Sequence, residues 1–212
     1  NSGLESLILP NDPNYIDIRV GASTFDANGL LWTTSGVVEK QIKSYNPSNN
    51  QWKSYTLNSV IADFFSNGGF RDIVIDNNQT KWVTAGYFYG VIGFNENNGN
   101  PLVKGIYKED QNMPFSFATA LALDKRNQLW IGTYKGLRVL YNTSNVFEED
   151  NIKVAVRHVA PQFGNAHLIW ELKKLKLDAY TNYNGQFDYD DLAPEEQSKA
   201  YLYALDKNGN PY

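Results

Sequence analysis

The chain has 212 residues and a formal net charge of −4 at pH 7, and it contains no cysteine. Its length allows one large domain or two small ones. The acidic balance, without a stripe of Lys and Arg, argues against a nucleic-acid partner. The lack of cysteine excludes disulfides and thiolate chemistry. No apolar run approaches the roughly 20 residues of a membrane-spanning helix, so we expect no transmembrane segment.

The first elements of the chain are predicted to be short strands. A polar lead-in covers residues 1–13, and the alternating segment 15–20 predicts a strand. Further apolar runs of about five residues follow, each bounded by turn residues, which is typical of an antiparallel meander. The pattern is clearest over residues 121–142, which predict three strands joined by two tight turns.

The meander occurs three times. In each copy an Asp precedes a Trp by six residues, and successive aspartates lie 50 and 48 residues apart. An aromatic-Asn pair ends the third strand of each copy. Periods of about 40 to 50 residues with a turn-then-Trp pattern are typical of β-propellers, one blade per repeat. The pairs are Asp26/Trp32, Asp76/Trp82 and Asp124/Trp130, followed by Tyr45-Asn46, Phe94-Asn95 and Tyr141-Asn142.

The residue types of the repeat predict structural roles. A single meander exposes two apolar faces, and packing blades side by side buries both. We expect each Trp to fill the gap between neighbouring blades. Each Asp is expected to cap its turn by accepting a bond from a backbone N–H two residues on. Asn28-Gly29 supplies residues that tolerate left-handed backbone, and Asn78 and Asn127 are expected to substitute for them in the other copies.

The pattern defines the predicted domains. We expect an all-β fold: β-propeller blades of antiparallel four-stranded sheets forming a partial propeller, because three blades do not close a ring. Helical spacing over 167–177, and Pro194 at the start of a second helix to about residue 205, predict a mostly helical tail. Alternatively, Asp206 to Tyr212 opens a further blade. The predicted ranges are blades over 1–160, with repeats near 20–57, 70–107 and 115–159, and a tail over 161–212.

Candidate ligand-binding residues lie on loops at one face of the predicted propeller. Ligands of propellers bind where the loop between the second and third strands meets the loop that enters the first strand. Exposed aromatic rings beside a lysine suit a sugar or a peptide, although such rings also cover blade edges. The candidates are Tyr87, Phe88, Tyr89, Tyr134 and Lys135.

No catalytic, metal or cofactor site is predicted. The only histidines, His158 and His167, lack the spacing of a paired metal site. No G-x-S-x-G nucleophile elbow is present. The acidic loop after residue 178 has the spacing of an EF-hand, but Tyr180 takes the first ligand position, where a carboxylate is needed. We therefore expect a non-enzymatic protein without a cofactor.

The repeat resembles a known family. The pattern D-x-x-x-x-x-W-(I/V)-x-T, a Gly turn and a strand ending in (Y/F)-N is similar to the two-component-regulator type propeller repeat. That repeat occurs in periplasmic sensors of hybrid two-component systems and in PorZ-like components of type IX secretion. Residues 71–83 and 136–147 resemble PorZ-like blades, and the resemblance covers about residues 20–160. PorZ-like proteins carry two propellers and a C-terminal signal domain, whereas this chain has three clear copies of the repeat.

The resemblance implies a non-catalytic role in the cell envelope, at the outer-membrane surface or in the periplasm. It implies partners among envelope or secretion-system proteins, including a sortase, and a glycan or anionic lipopolysaccharide that is attached to secreted cargo. The alternative is the ligand-sensing propeller of a hybrid two-component regulator that binds an oligosaccharide. A third reading, a sugar-active propeller enzyme, requires a paired carboxylate or metal cluster on the loop face.

Overall fold

The computed structural model describes residues 3–7, 11, 12, 14–64, 69–113, 116–148, 152, 154, 163–172, 175–184, 207 and 209. The chain divides into two compact units, residues 1–154 and 155–212. Within the described ranges, no helix has the length and apolar character needed to cross a bilayer. The strands are β1 (Val20–Phe25), β2 (Leu31–Ser35), β3 (Ile42–Asn46), β4 (Gln51–Tyr55), β5 (Phe70–Ile75), β6 (Lys81–Ala85), β7 (Val91–Asn95), β8 (Leu102–Ile106), β9 (Ala118–Leu123), β10 (Leu129–Thr133), β11 (Gly136–Leu140), β12 (Phe163–Leu172) and β13 (Leu175–Asn184), with short 3-10 helices at Asn97–Gly99 and Glu109–Gln111.

The first unit consists of antiparallel meanders, as the sequence predicts. Blade 1 is the sheet β1-β2-β3-β4, blade 2 is β5-β6-β7-β8, and the described part of blade 3 is β9-β10-β11. Each strand pairs antiparallel with the next strand of its blade. The prediction of an all-β fold made of propeller blades is therefore confirmed.

The first strand of each blade contains an irregularity in register, which indicates a β-bulge. In blade 1 the hydroxyl of Thr34 accepts a hydrogen bond from Ala22 N at 2.9 Å. In blade 2 the hydroxyl of Thr84 accepts bonds from Arg71 N and Asp72 N, both at 3.0 Å. Because a bulge leaves one residue unpaired and turns its side chain, these threonines help to set where Arg71 and Asp72 lie.

Two tryptophans of the repeat lie at the seams between blades. Trp32 is fully buried in a cluster that contains Val83 and other apolar residues of blade 2. Trp82 is likewise fully buried, in a cluster that contains Ile131 of blade 3. The predicted wedge role is confirmed for these two residues. Trp130, in the last described blade, is half-buried.

Each aspartate of the repeat caps its turn and also accepts a hydrogen bond from the indole of its Trp. Asp76 accepts bonds from Asn78 N at 2.8 Å and Thr80 N at 2.9 Å, so the predicted turn cap is confirmed. Its second oxygen accepts the indole N–H of Trp82 at 2.9 Å, a bond that joins the turn to the seam. Equivalent sets of three bonds, all between 2.8 and 3.2 Å, are present at Asp26 and Asp124.

Hydrogen bonding lowers the pKa of one of these carboxylates, that of Asp124. Desolvation by itself would raise the pKa of Asp124. Bonds from the backbone of Gln128, the indole of Trp130 and the backbone of Arg126 more than offset it, so the pKa of Asp124 is lowered. The aspartate is therefore a charged acceptor in neutral solution.

The third residue after each Asp has left-handed backbone. Gly29 has a φ of 78°, and Asn127 has a φ of 64°, as the sequence predicts. In the second copy the prediction of Asn78 is wrong, because the left-handed residue is Gln79, with a φ of 63°. The physical reason is the turn itself: the Asp side chain binds the N–H of the second residue, and the chain reverses at the third.

The asparagines after the third strands share one local role. In each copy the side-chain oxygen accepts a bond from the N–H two residues on, at 2.9 Å, which forms an Asx-turn. The aromatic-Asn pair ends β3 and β7, whereas β11 ends at Leu140, one residue before the pair. The three residues are Asn46, Asn95 and Asn142.

The predicted helix over residues 167–177 is wrong. These residues belong to the hairpin β12–β13, whose register places Trp170 opposite Leu177 and Glu171 opposite Lys176. Glu171 and Lys176 form an ion pair at 3.1 Å. A short apolar run fits the spacing of a helix as well as that of a strand. Here the cross-strand pairs of the hairpin stabilise the strand. The second predicted helix, to residue 205, and all but residues 207 and 209 of the predicted further blade lie outside the described residues.

A buried amine distinguishes the seam between blades 1 and 2. Lys81 is only 2% exposed. Its Nζ lies 3.9 Å from the ring centroid of Trp32 and 3.6 Å from Glu96 Oε2. The other oxygen of Glu96 accepts a hydrogen bond from the hydroxyl of Tyr55. The seam thus combines a cation–π contact with an ion pair.

Leucine at position 81 is expected to stabilise the chain at neutral pH. Desolvation lowers the pKa of Lys81 and outweighs the attraction of Glu96 and other carboxylates. Blade 3 carries Leu129 at the equivalent place, so leucine fits the repeat. We expect Lys81→Leu to raise the free energy of unfolding by about 1 kcal/mol, measured by urea unfolding at pH 7. Lys53→Leu, at an exposed position, is the control.

The pH dependence gives a second measurement of the same effect. A lysine whose pKa is lowered in the folded state binds fewer protons there, so wild-type stability rises with pH toward the unfolded pKa of about 10.4. The advantage of Lys81→Leu should therefore shrink as the pH rises from neutral toward that value. A variant less stable than wild type at pH 7 would mean that the cation–π contact and the ion pair outweigh burial.

Candidate functional site

Two loops, one turn and strand β5 supply the candidate site. The loop between β6 and β7, residues 86–90, is bounded by Gly86 and Gly90, both in left-handed backbone, with φ values of 58° and 55°. A Cβ at Gly90 would lie 2.4 Å from the carbonyl oxygen of Ile106, so only glycine fits there. The tight base directs the middle of the loop outward, and Tyr87 is 55% exposed.

Three aromatic rings from these segments stack in a row. The ring of Phe117, which is 1% exposed, lies 4.5 Å from the ring of Tyr87 with an interplanar angle of 12°. On the β10–β11 turn, Tyr134 stacks on the same Phe117 at 4.9 Å and 22°. The guanidinium carbon of Arg71 lies 4.8 Å from the Phe117 centroid. We refer to Tyr87, Phe117, Tyr134 and Arg71 as the aromatic platform.

Hydrogen bonds hold the segments that carry the platform. Ser116 Oγ donates to the carbonyl of Tyr87 at 2.8 Å, which joins the entry to β9 to the β6–β7 loop. Thr133 Oγ1 donates to the carbonyl of Gly136 at 2.7 Å and closes the two-residue turn that carries Tyr134. The rings are therefore positioned before any ligand arrives, which reduces the entropy lost on binding.

An aspartate ties blades 2 and 3 together beside the platform. Asp72 Oδ2 accepts a bond from Leu121 N, in the first strand of blade 3, at 2.7 Å. Its Oδ1 accepts a bond from Ile73 N at 2.9 Å. Because Asp72 follows Arg71 directly, this tie fixes the backbone from which the guanidinium extends.

The structure brings together some of the residues predicted from the sequence. Tyr87 and Tyr134 meet through Phe117, and Lys135 is exposed beside Tyr134 on the turn. Phe88 is exposed on the same loop as Tyr87. Tyr89 instead packs against the core cluster of Trp32, so it has a structural role at the base of the loop.

Two residues of the platform, Phe117 and Arg71, were not predicted from the sequence. Phe117 lies on the segment that enters the first strand of blade 3, which is where propeller ligands are expected, so its position could have identified it. Arg71 lies inside β5, at the bulge. Strand alternation alone does not indicate which way a bulged residue points, so no sequence signal located Arg71.

No metal cluster is found in the described part of the chain: no three His, Asp or Glu side chains there could hold an ion together. Of the two histidines, His167 is exposed on β12, and His158 lies outside the described residues. The residues of the platform offer contact with rings and attraction by a cation.

Comparisons with known proteins give one family match. Residues 112–135 match the model of the two component regulator propeller family. This range includes the entry to β9, the whole of β9 and β10, and the Asp124 turn between them. Among curated proteins, none matches the chain.

Solved propeller structures are similar to the chain. PorZ, a bacterial surface component of the type-IX secretion system of Porphyromonas gingivalis, is 21% identical with a TM-score of 0.55; the similarity covers 82% of this chain but only 23% of that one. The extracellular domain of the hybrid two component system BT4673 from B. thetaiotaomicron is 16% identical, with a TM-score of 0.49 and coverages of 84% and 23%. Virginiamycin B lyase from Staphylococcus aureus is 15% identical, with a TM-score of 0.42 and coverages of 66% and 46%.

The match and the PorZ similarity agree with the repeat described above. This chain spans about a quarter of the length of the PorZ structure. The chain carries a two-component-regulator propeller repeat in its third blade, and its sheets have the fold of propeller domains.

Proposed function

We propose that the blades are a non-catalytic binding module of a bacterial cell-envelope protein, and that the aromatic platform holds a partner protein or a glycan. The observation that carries this proposal is the stack of Tyr87, Phe117 and Tyr134, because two of its rings extend into solvent while the third is fixed in the core. Exposed tyrosines beside an arginine are the residue types that dominate binding energy at interfaces.

The setting that we propose is type IX secretion, in the attachment of anionic lipopolysaccharide to secreted cargo. Support comes from the fold similarity to PorZ, which is a surface component of that system. On this proposal the chain acts at the outer-membrane surface or in the periplasm, beside secretion-system proteins such as a sortase.

Binding is expected to depend on Tyr134. The labelled wild-type chain would be applied to a glycan array and to separated outer-membrane proteins of its source. We expect Tyr134→Ala to weaken any specific signal about tenfold, since a ring that anchors an interface contributes at least about 1.4 kcal/mol. Phe25→Ala is the matched control, because Phe25 is a similarly exposed aromatic residue on blade 1. Equal signals from both variants would refute the proposal.

A second candidate is the ligand-sensing propeller of a hybrid two-component regulator that binds an oligosaccharide. The family match at residues 112–135 favours it. The gene distinguishes the two candidates: a transmembrane segment and a kinase after the propeller would establish the sensor, whereas a C-terminal β-sandwich signal would establish the secretion component.

A further inference from the structure

We infer that the aromatic platform binds an acidic segment of a partner protein rather than a saccharide. The inference rests on the proposed function and specifies the ligand class of the same site. Three observations carry it: the preformed rings, the internal use of the neighbouring hydroxyls, and the exposed cations.

Two rings of the platform are largely exposed to solvent. Tyr87 and Tyr134 are 55% and 68% exposed, although both stack on a buried ring. Sites for small molecules usually enclose most of the ligand surface in a concave pocket. Rings that extend into solvent suit the broad surface of a protein, where tyrosine offers a large contact at low entropy cost.

Three hydroxyl groups around the platform already donate within the protein. Ser116 donates to the carbonyl of Tyr87, Thr119 Oγ1 to the carbonyl of Gly132 at 3.2 Å, and Thr133 to the carbonyl of Gly136. A bound saccharide brings many hydroxyls that need partners, because a polar group buried without a hydrogen bond costs free energy. A peptide segment brings fewer such groups and more apolar side-chain surface. It therefore needs fewer hydrogen-bond donors from the protein, and these three hydroxyls already use theirs.

The cations determine the charge of the ligand. Arg71 and Lys135 are both exposed, although the chain as a whole carries a net charge of −4. The neighbouring carboxylate of Asp72 accepts bonds from Leu121 N and Ile73 N, at the junction of blades 2 and 3. A guanidinium presents two parallel N–H donors that match one carboxylate. The platform therefore suits Asp or Glu side chains that lie beside aliphatic or aromatic groups.

The experiment uses defined probes on the full chain. An array of short synthetic peptides rich in Asp, Glu and apolar residues is compared with the same peptides in which Asn and Gln replace the acids. An oligogalacturonate and a neutral maltooligosaccharide are the saccharide probes. We expect some acidic peptides to bind, and their amide counterparts to bind about tenfold more weakly or worse.

Variants connect the binding to the platform. Arg71→Gln removes the cation and Tyr134→Ala removes a ring, and each is expected to weaken peptide binding about tenfold. Arg71→Lys keeps the charge but not the fork of donors, so it should fall between Arg71→Gln and wild type. Phe25→Ala should leave peptide binding unchanged, and added salt should weaken it.

The outcomes separate this inference from the proposed function. If the oligogalacturonate or the neutral saccharide binds with the same dependence on Tyr134, and the acidic peptides do not, the platform is a glycan site. The inference then fails while the proposed function stands. If no probe gives binding that depends on Tyr134, the inference is overturned, and the proposed function loses the observation on which it depends.

Discussion

Replacing Trp82 with alanine is expected to lower the free energy of unfolding by about 3–5 kcal/mol, the usual cost of removing a large buried aromatic side chain. The indole is fully buried between blades 2 and 3, in the cluster that contains Leu129 and Ile131. It lies so close to the backbone of Gly93 that a Cβ there would come within 2.9 Å of the ring. Urea unfolding followed by circular dichroism measures the loss.

Trp130→Ala is the matched control for this prediction. Trp130 has the same place in its repeat, and its indole binds Asp124 at 3.2 Å as Trp82 binds Asp76. Trp130 is half-buried, so its removal creates less empty volume and should cost clearly less. If the two variants lose the same stability, the burial of Trp82 at the seam does not determine its contribution.

Alanine in place of Asp76 is expected to cost about 3 kcal/mol or more, because three donors, two of them buried, lose their acceptor at once. The donors are the backbone N–H groups of Asn78 and Thr80 and the indole N–H of Trp82. Asp76 is 2% exposed, so water has little access to replace the carboxylate. Urea unfolding of the variant and the wild-type chain gives the difference.

Two further variants make the Asp76 prediction specific. Asp76→Asn keeps one oxygen that can accept the backbone N–H groups, so it should cost less than alanine. Asp26→Ala removes the same three bonds from a turn that is half-exposed, where water can satisfy the two backbone donors. A loss for Asp76→Ala no greater than that for Asp26→Ala would contradict the explanation by buried donors.

The blades could be predicted because local and long-range requirements coincide in the repeat. Asp recurs at each turn and Trp at each position that can face a seam, so their spacing in the sequence predicts the fold. The bond between the indole and the carboxylate could not be deduced, because spacing gives no side-chain direction. The hairpin at 163–184 was missed because the apolar residues of its first strand also fit a helical face.

The loops that carry the candidate site could be predicted from the sequence, but the contacts among its residues could not. Tyr87 and Tyr134 are far apart in sequence, and their meeting depends on Phe117, a third residue on another segment. Tyr89 shows the opposite case, since the same aromatic loop places one ring outward and another against the core. Residue type and loop position identify candidates, but the packing of blade on blade decides which of them meet.

The buried amine of blade 2 has a consequence for how the chain assembles. When a chain contains several similar sheets, one sheet can pack against the wrong neighbour during folding. If blade 3 docked on blade 1, Leu129 and Thr143 would replace Lys81 and Glu96, and the hydroxyl of Tyr55 would lose its acceptor. Misassembly of that kind deprives Tyr55 of a charged acceptor, so Glu96, the partner of Lys81, helps to specify the order of the blades.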